Sequence, residues 1–109
     1  MNALLITQST SGPWTVISIA GEIDVATAPG VLNALEEVKG QGVTKLIFDL
    51  SRVTFMDSTG LGVMVTARRE LDDGLRLVVT ESNVRKVFEV TGLDTLFQPY
   101  ASLHDAVIS

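Results

Sequence analysis

Residues 43–71 read VTKLIFDLSRVTFMDSTGLGVMVTARREL, and the change of period inside this stretch decides the fold. From Val43 to Leu50 the run is apolar, with charges only at Lys45 and Asp49. A continuous apolar run of this length is the pattern of a strand covered on both faces. From Asp57 to Leu71 the period changes to that of a helix, with Leu61, Met64, Val65, Arg68 and Leu71 as its inward stripe. A buried strand that feeds a helix is the repeating unit of a parallel sheet, because parallel neighbours need a crossover connection.

Working outward, the same alternation continues on both sides. Downstream, Leu75–Val79 reads as another buried strand, and Val84, Val87 and Phe88 mark a third helix closed by Gly92. Ser102, with Asp105 three residues on, has the form of a capping box for a last short helix. Upstream, Val25, Ala28, Val31, Leu32, Leu35 and Val38 recur at helical spacing up to Gly40 and Gly42. Thr27 fits its N-cap, and Pro29 stands where a first turn tolerates proline. Trp14–Ala20 is apolar on both faces, and residues 3–8 form a first strand joined to it by the turn cluster Ser9–Pro13. Gly21-Glu22-Ile23-Asp24 is expected as a loop. The prediction is one α/β domain over residues 1–109, a mixed β-sheet with a parallel part covered by about four helices.

The totals narrow the function. One hundred and nine residues suit a single core. The absence of cysteine excludes disulfides and thiolate metal sites. Thirteen acidic against eight basic residues give a net charge of −5, which argues against nucleic acid as a partner. No run approaches the ~20 apolar residues of a membrane helix, and residues 1–6 lack the features of a signal peptide, so no membrane partner and a cytoplasmic location are expected.

In open α/β sheets ligands and partners meet the carboxyl ends of the strands. The segments Gly21–Thr27, Ser51–Ser58 and Thr80–Asn83 should converge there, and Phe55-Met56-Asp57-Ser58-Thr59-Gly60-Leu61-Gly62 is the most unusual of them. Asp57 or Ser58 can cap the helix. Gly60 and Gly62 each cost on the order of 1 kcal/mol relative to alanine in a helix interior. Two glycines there suit close approach of another backbone or a phosphate, or, for Gly62, tight packing against the sheet.

The blocks Gly21-Glu22-Ile23-Asp24, Leu46-Ile47-Phe48-Asp49-Leu50 and Asp57-Ser58-Thr59-Gly60-Leu61-Gly62 resemble, in order and spacing, the bacterial anti-sigma factor antagonists of the STAS family. Asn83–Phe88 and Thr91-Gly92-Leu93 fit the same pattern, so the resemblance covers nearly the whole chain. It implies a binding protein without catalytic activity, cofactor or metal. Its partner would be an anti-sigma factor that is also a serine kinase, so that binding frees the sigma factor. ATP-dependent phosphorylation at Ser58 would end the complex, and a serine phosphatase would restore it. Partner contacts would fall on Asp24, Asp57, Thr59, Gly60 and Leu61. Electrostatics allows such a switch: a phosphate dianion facing one carboxylate at ~7 Å repels by on the order of 5 kcal/mol before screening, at an effective dielectric of ~20.

Competing assignments exist for several residues. Thr59 is the rival phosphate acceptor. Asp24 either orients the Ser58 hydroxyl, contacts the kinase, or closes a turn on its own backbone. Asp49 suits a hydrogen-bonded structural role, Trp14 the core, and His104 and Arg68-Arg69-Glu70 the surface. Met56, Leu61 and Met64 suit the core, and any exposed member an adaptable interface. An aspartyl-phosphate enzyme built on Asp24, Asp49 and Asp57 would need an adjacent acidic pair at a strand end, which the sequence lacks. The alternative within the family is a non-switching STAS module in a stress-sensing or transport complex.

Overall fold

The computed structural model describes residues 4–109. Its order is β1 (Leu5–Ser11), β2 (Trp14–Ile23), α1 (Ala28–Gly40), β3 (Leu46–Met56), α2 (Ser58–Leu71), β4 (Leu75–Val78), α3 (Ser82–Val90), α4 (Leu93–Phe97) and α5 (Leu103–Ile108), with one 3-10 turn at Asp72–Gly74. The strands lie in the order β1-β2-β3-β4. β1 and β2 form the antiparallel hairpin, and β2, β3 and β4 are parallel. This is the expected mixed sheet.

Burial explains the layers. One face carries Ile17, Ile19, Phe48, Leu50 and Leu77, packed under Val31 and Leu35 of α1, Met64 and Ala67 of α2, and Val84 and Phe88 of α3. Phe88 meets Phe97 of α4 edge-on, with ring centroids 5.6 Å apart. The other face is covered in part, where Trp14, Val16, Ile47 and Val78 pack against Ala106 of α5. β3 is thus sandwiched at its start, which is why Leu46–Phe48 reads as an unbroken apolar run.

Four details differ from expectation. β2 and β3 both run further than predicted: Gly21-Glu22-Ile23 is strand rather than loop, and Ser51–Met56 completes β3. Register shifts between Ser18 and Ala20 and between Gly21 and Glu22 break the alternation by which a strand is recognised. Gly21, at φ 122°, takes the conformation this irregularity requires. The buried stripe of α2 is Gly60, Leu61, Val63, Met64 and Ala67, with Arg68 and Val65 only half-buried. Small residues hide such a stripe because they carry little hydropathy. The turn between β1 and β2 is shorter than Ser9–Pro13, since β1 continues to Ser11. α4 was not anticipated, so the described residues hold five α-helices where about four were expected; its five residues are too few for a period. Ala3 lies outside the described residues.

Candidate functional site

After β2, Asp24 Oδ1 accepts hydrogen bonds from the N–H groups of Ala26 (2.9 Å) and Thr27 (3.1 Å). Thr27 stands at the N-cap position of α1, but its hydroxyl turns back, accepting from Asp24 N (2.9 Å) and donating to Glu22 O (2.8 Å). Asp24 therefore closes its own turn and locks the connection from β2 to α1.

After β3, Asp57 adopts an extended conformation and caps α2. Its Oδ1 accepts from Thr59 N at 2.9 Å and Gly60 N at 3.4 Å, and the Thr59 hydroxyl also donates to it. Two of the otherwise free N–H groups of the first turn are thereby satisfied, and a carboxylate sits where the helix dipole favours it. Asp57 N donates to Ile23 O (3.2 Å), which ties this connection to the one after β2. Gly60 completes the tie. An alanine Cβ there would lie 2.7 Å from Met56 Cγ and 2.9 Å from Ile23 Cγ2. The third connection joins through β3: Thr80 Oγ1 donates to Ser51 O (3.2 Å) and Asn83 Nδ2 to Thr54 O. The three segments do converge at the carboxyl end of the sheet.

The resulting surface sorts the residues singled out by sequence. Ser58 is exposed, Asp24, Asp57 and Thr59 are half-buried, and Gly60 and Leu61 are buried. Gly62 is exposed, and a Cβ added there would meet nothing within 4 Å, so tight packing against the sheet does not explain it. Asp49 accepts from Ser51 N (3.1 Å) and shares the strand face of Ile47, opposite the face under α2, so Asp24, Asp49 and Asp57 do not form one cluster. Among the described residues no group of three or more histidines and carboxylates has the geometry to hold a metal ion. His104 is exposed on α5, across the sheet.

Two residues have a role that sequence alone did not show. Val25 and Leu32, placed on the inward stripe of α1 by periodicity, are 74% and 37% exposed. With Ala28, Pro29, Thr59 and Val63 they line an open, almost wholly apolar groove of about 300 Å3 beside Ser58. Val25 precedes the first residue of α1, so it is not held to the period that buries Ala28 and Val31. The site has the form of an exposed hydroxyl at a capped helix start, bordered by an apolar surface.

Residues 5–106 match the family model described as "STAS domain". The anti-sigma-F factor antagonist RsfB of Mycobacterium tuberculosis is 32% identical over 108 residues, covering 97% of this chain and 88% of that protein. The anti-sigma-B factor antagonist of Listeria monocytogenes is 41% identical over 85 residues, 75% of each. Among solved structures, an anti-sigma factor antagonist from Mycobacterium paratuberculosis superposes with a TM-score of 0.90 at 30% identity, covering 98% of this chain and 96% of that one. SpoIIAA, solved unphosphorylated and phosphorylated, gives TM-scores of 0.77 and 0.70 at 27% identity, covering 94% of this chain and 93% and 96% of those chains. By a family match that spans almost its whole length, the chain is a member of the STAS domain family.

Proposed function

We propose that this protein is an anti-sigma factor antagonist that docks on an anti-sigma factor with serine kinase activity and is released when that kinase phosphorylates Ser58. The observation that carries the proposal is the division of labour in Asp57-Ser58-Thr59. The Asp57 carboxylate and the Thr59 hydroxyl are engaged with each other and with the helix start, while Ser58 is exposed. Ser58 is therefore the hydroxyl that a kinase can reach without unwinding α2. The names of the relatives, and a neighbour solved in a phosphorylated form, support the same assignment.

The switch follows from where the phosphate would stand. It adds about −1.5 to −2 charges beside Asp57 and at the rim of the apolar groove. A partner seated on Val25, Leu32 and Val63 would have to desolvate that charge, which costs several kcal/mol unless it is paired. The N–H groups of Thr59 and Gly60 already bond Asp57, so α2 offers the phosphate little internal compensation. Asp57, Thr59 and Asp24 then act by holding this surface rigid, and Gly60 and Leu61 by anchoring α2 to the sheet beneath it. A separate serine phosphatase would reset the protein, and the cytoplasm, where sigma factors act, is the proposed location.

The test is intact mass and site mapping after incubation with a candidate anti-sigma kinase and ATP. One phosphoryl group on the wild type, none on Ser58→Ala, and loss of kinase binding by the modified form are expected. Binding without modification would reduce the protein to a constitutive interaction module. Modification at Thr59 would move the acceptor.

A further inference from the structure

α5 covers only part of the second face of the sheet, and the uncovered part carries a polar recess. Trp14, Val16 and Ile47 pack under Ala106. Ser18 of β2 and Asp49 of β3 are the next residues on that face, partners in register, and Thr7 of β1 pairs with Ser18 from the other side. Together with Leu5, Ser51 and Arg52 they border an open recess of about 210 Å3. A bulge decides which charges stand there. Leu50 and Val53 both belong to the core under the helices, yet two residues separate them where regular alternation has one. Between the pairs Ser18↔Asp49 and Ala20↔Arg52, β3 advances three residues while β2 advances two. The extra residue turns both Ser51 and Arg52 toward the recess, the re-aiming of side chains that bulges produce beside functional sites. Asp49 accepts from Ser51 N (3.1 Å). Among the described residues neither its carboxylate nor the Arg52 guanidinium enters an ion pair, with each other or with any third group. An acid and a base thus face one recess without neutralising each other.

We propose that this recess binds a small zwitterion of the α-amino acid type, its carboxylate on Arg52 and its ammonium on Asp49. Charge selects the ligand. A simple anion is repelled by Asp49 and a simple cation by Arg52, whereas a molecule that bears both charges is attracted at both ends. Arginine suits the carboxylate because its planar fork donates two parallel bonds. Asp49 spends one oxygen on Ser51 N and keeps acceptor capacity for an ammonium. Size restricts the ligand further. At about 210 Å3 the recess is smaller than the ~300–1,000 Å3 pockets that take drug-sized molecules. The short side chains of Thr7 and Ser18 leave room for a small substituent on the ligand and offer it hydroxyls. The recess is open to solvent, so its ion pairs are screened and binding in the millimolar range is expected. It lies on the opposite face of the sheet from α2, so it is separate from the Ser58 surface and does not depend on a phosphoryl switch.

The experiment is a titration of the isotope-labelled full chain with glycine, L-alanine, L-serine and L-threonine, followed residue by residue through the amide NMR spectrum. Saturable shifts centred on Ser18, Asp49, Ser51 and Arg52 are expected. For the best ligand, the amide that lacks the carboxylate and the N-acetyl form that lacks the ammonium should each bind about tenfold more weakly. Arg52→Gln should weaken the parent amino acid about tenfold and abolish its advantage over the amide. Asp49→Asn keeps an acceptor for Ser51 N, and should weaken the parent similarly and abolish its advantage over the N-acetyl form. Amide shifts of each variant away from the recess confirm that the fold is intact. Absence of a saturable shift with all four amino acids at tens of millimolar overturns the proposal. Shifts centred elsewhere, or affinities that both substitutions leave unchanged, overturn it equally.

Discussion

A methyl group added at Gly60 would press within 2.7 Å of Met56 Cγ, whereas one added at Gly62 would meet nothing within 4 Å. The two glycines share the first turn and a half of α2, so both would gain about the same helix propensity from alanine, up to ~1 kcal/mol. At Gly60 that gain is opposed by overpacking, typically 1–3 kcal/mol, since Ile23 and Met56 are themselves buried. Gly60→Ala is therefore expected to lower the melting temperature and Gly62→Ala to raise it. Equal shifts of the same sign in a thermal melt would refute this account of α2. Gly62 also faces solvent: bare helix backbone one turn from Ser58 costs stability that the fold does not need. If a partner packs on it, Gly62→Ala will bind more weakly while melting higher. Gln98 offers a second residue-level test, because it holds φ 45° and ψ 61° at the end of α4. Gln98→Gly should stabilise the protein by about 1 kcal/mol in a denaturant titration, as glycine adopts that region without the side-chain penalty.

At the scale of elements, α1 and α2 each bury one face and together leave a groove over which Val25 stands 74% exposed. An exposed valine outside the helix proper contributes little to stability, so Val25→Ser should change unfolding free energy by less than about 0.5 kcal/mol. The same substitution should weaken binding to the proposed anti-sigma partner severalfold in a calorimetric titration, because it removes apolar area at the groove rim. Unchanged affinity would move the docking surface away from α1. The elements also show what a sequence can disclose. α1, α2 and α3 were legible because Val31, Leu35, Phe88 and their neighbours repeat at helical spacing, and the Ser102 cap was legible because Ser102 Oγ does accept from Asp105 N (3.0 Å). The far ends of β2 and β3 were not, since irregular pairing there spaces Leu50, Val53 and Met56 by three residues instead of two. The site segment was legible as a motif, and its position as a helix start was correct. The groove was not, because periodicity assigned Val25 and Leu32 to the core and said nothing about which residues the packing of α1 on α2 would leave uncovered.

The whole molecule separates the proposed switch from the second face of the sheet. Ser58 opens α2, which packs on one face, while α5 covers Trp14, Ile47 and Val78 on the other. Arg76 fastens that cover. Its guanidinium lies 4.3 Å from the Trp14 ring centre and 5.7 Å from that of Tyr100, and Nη1 donates to Ala106 O (2.5 Å) near the end of α5. A cation held between two rings and a helix carbonyl gains from ring attraction, from a charge-assisted hydrogen bond and from the sign of the helix dipole. Arg76→Ala should thus cost about 2 kcal/mol and shift Trp14 emission to the red as α5 loosens. Arg76→Lys keeps the charge but loses the planar stack, and should fall between the two. Phosphorylation at Ser58 provides the contrast. It would alter an exposed side chain on the opposite face of the sheet from Trp14, with the buried Leu46–Phe48 segment of β3 between them, so neither Trp14 emission nor helical circular dichroism should move on modification. A red shift or a loss of helix in the phosphorylated protein would mean that the signal travels through the core, and that release depends on a change of shape and not on charge placed at the docking surface.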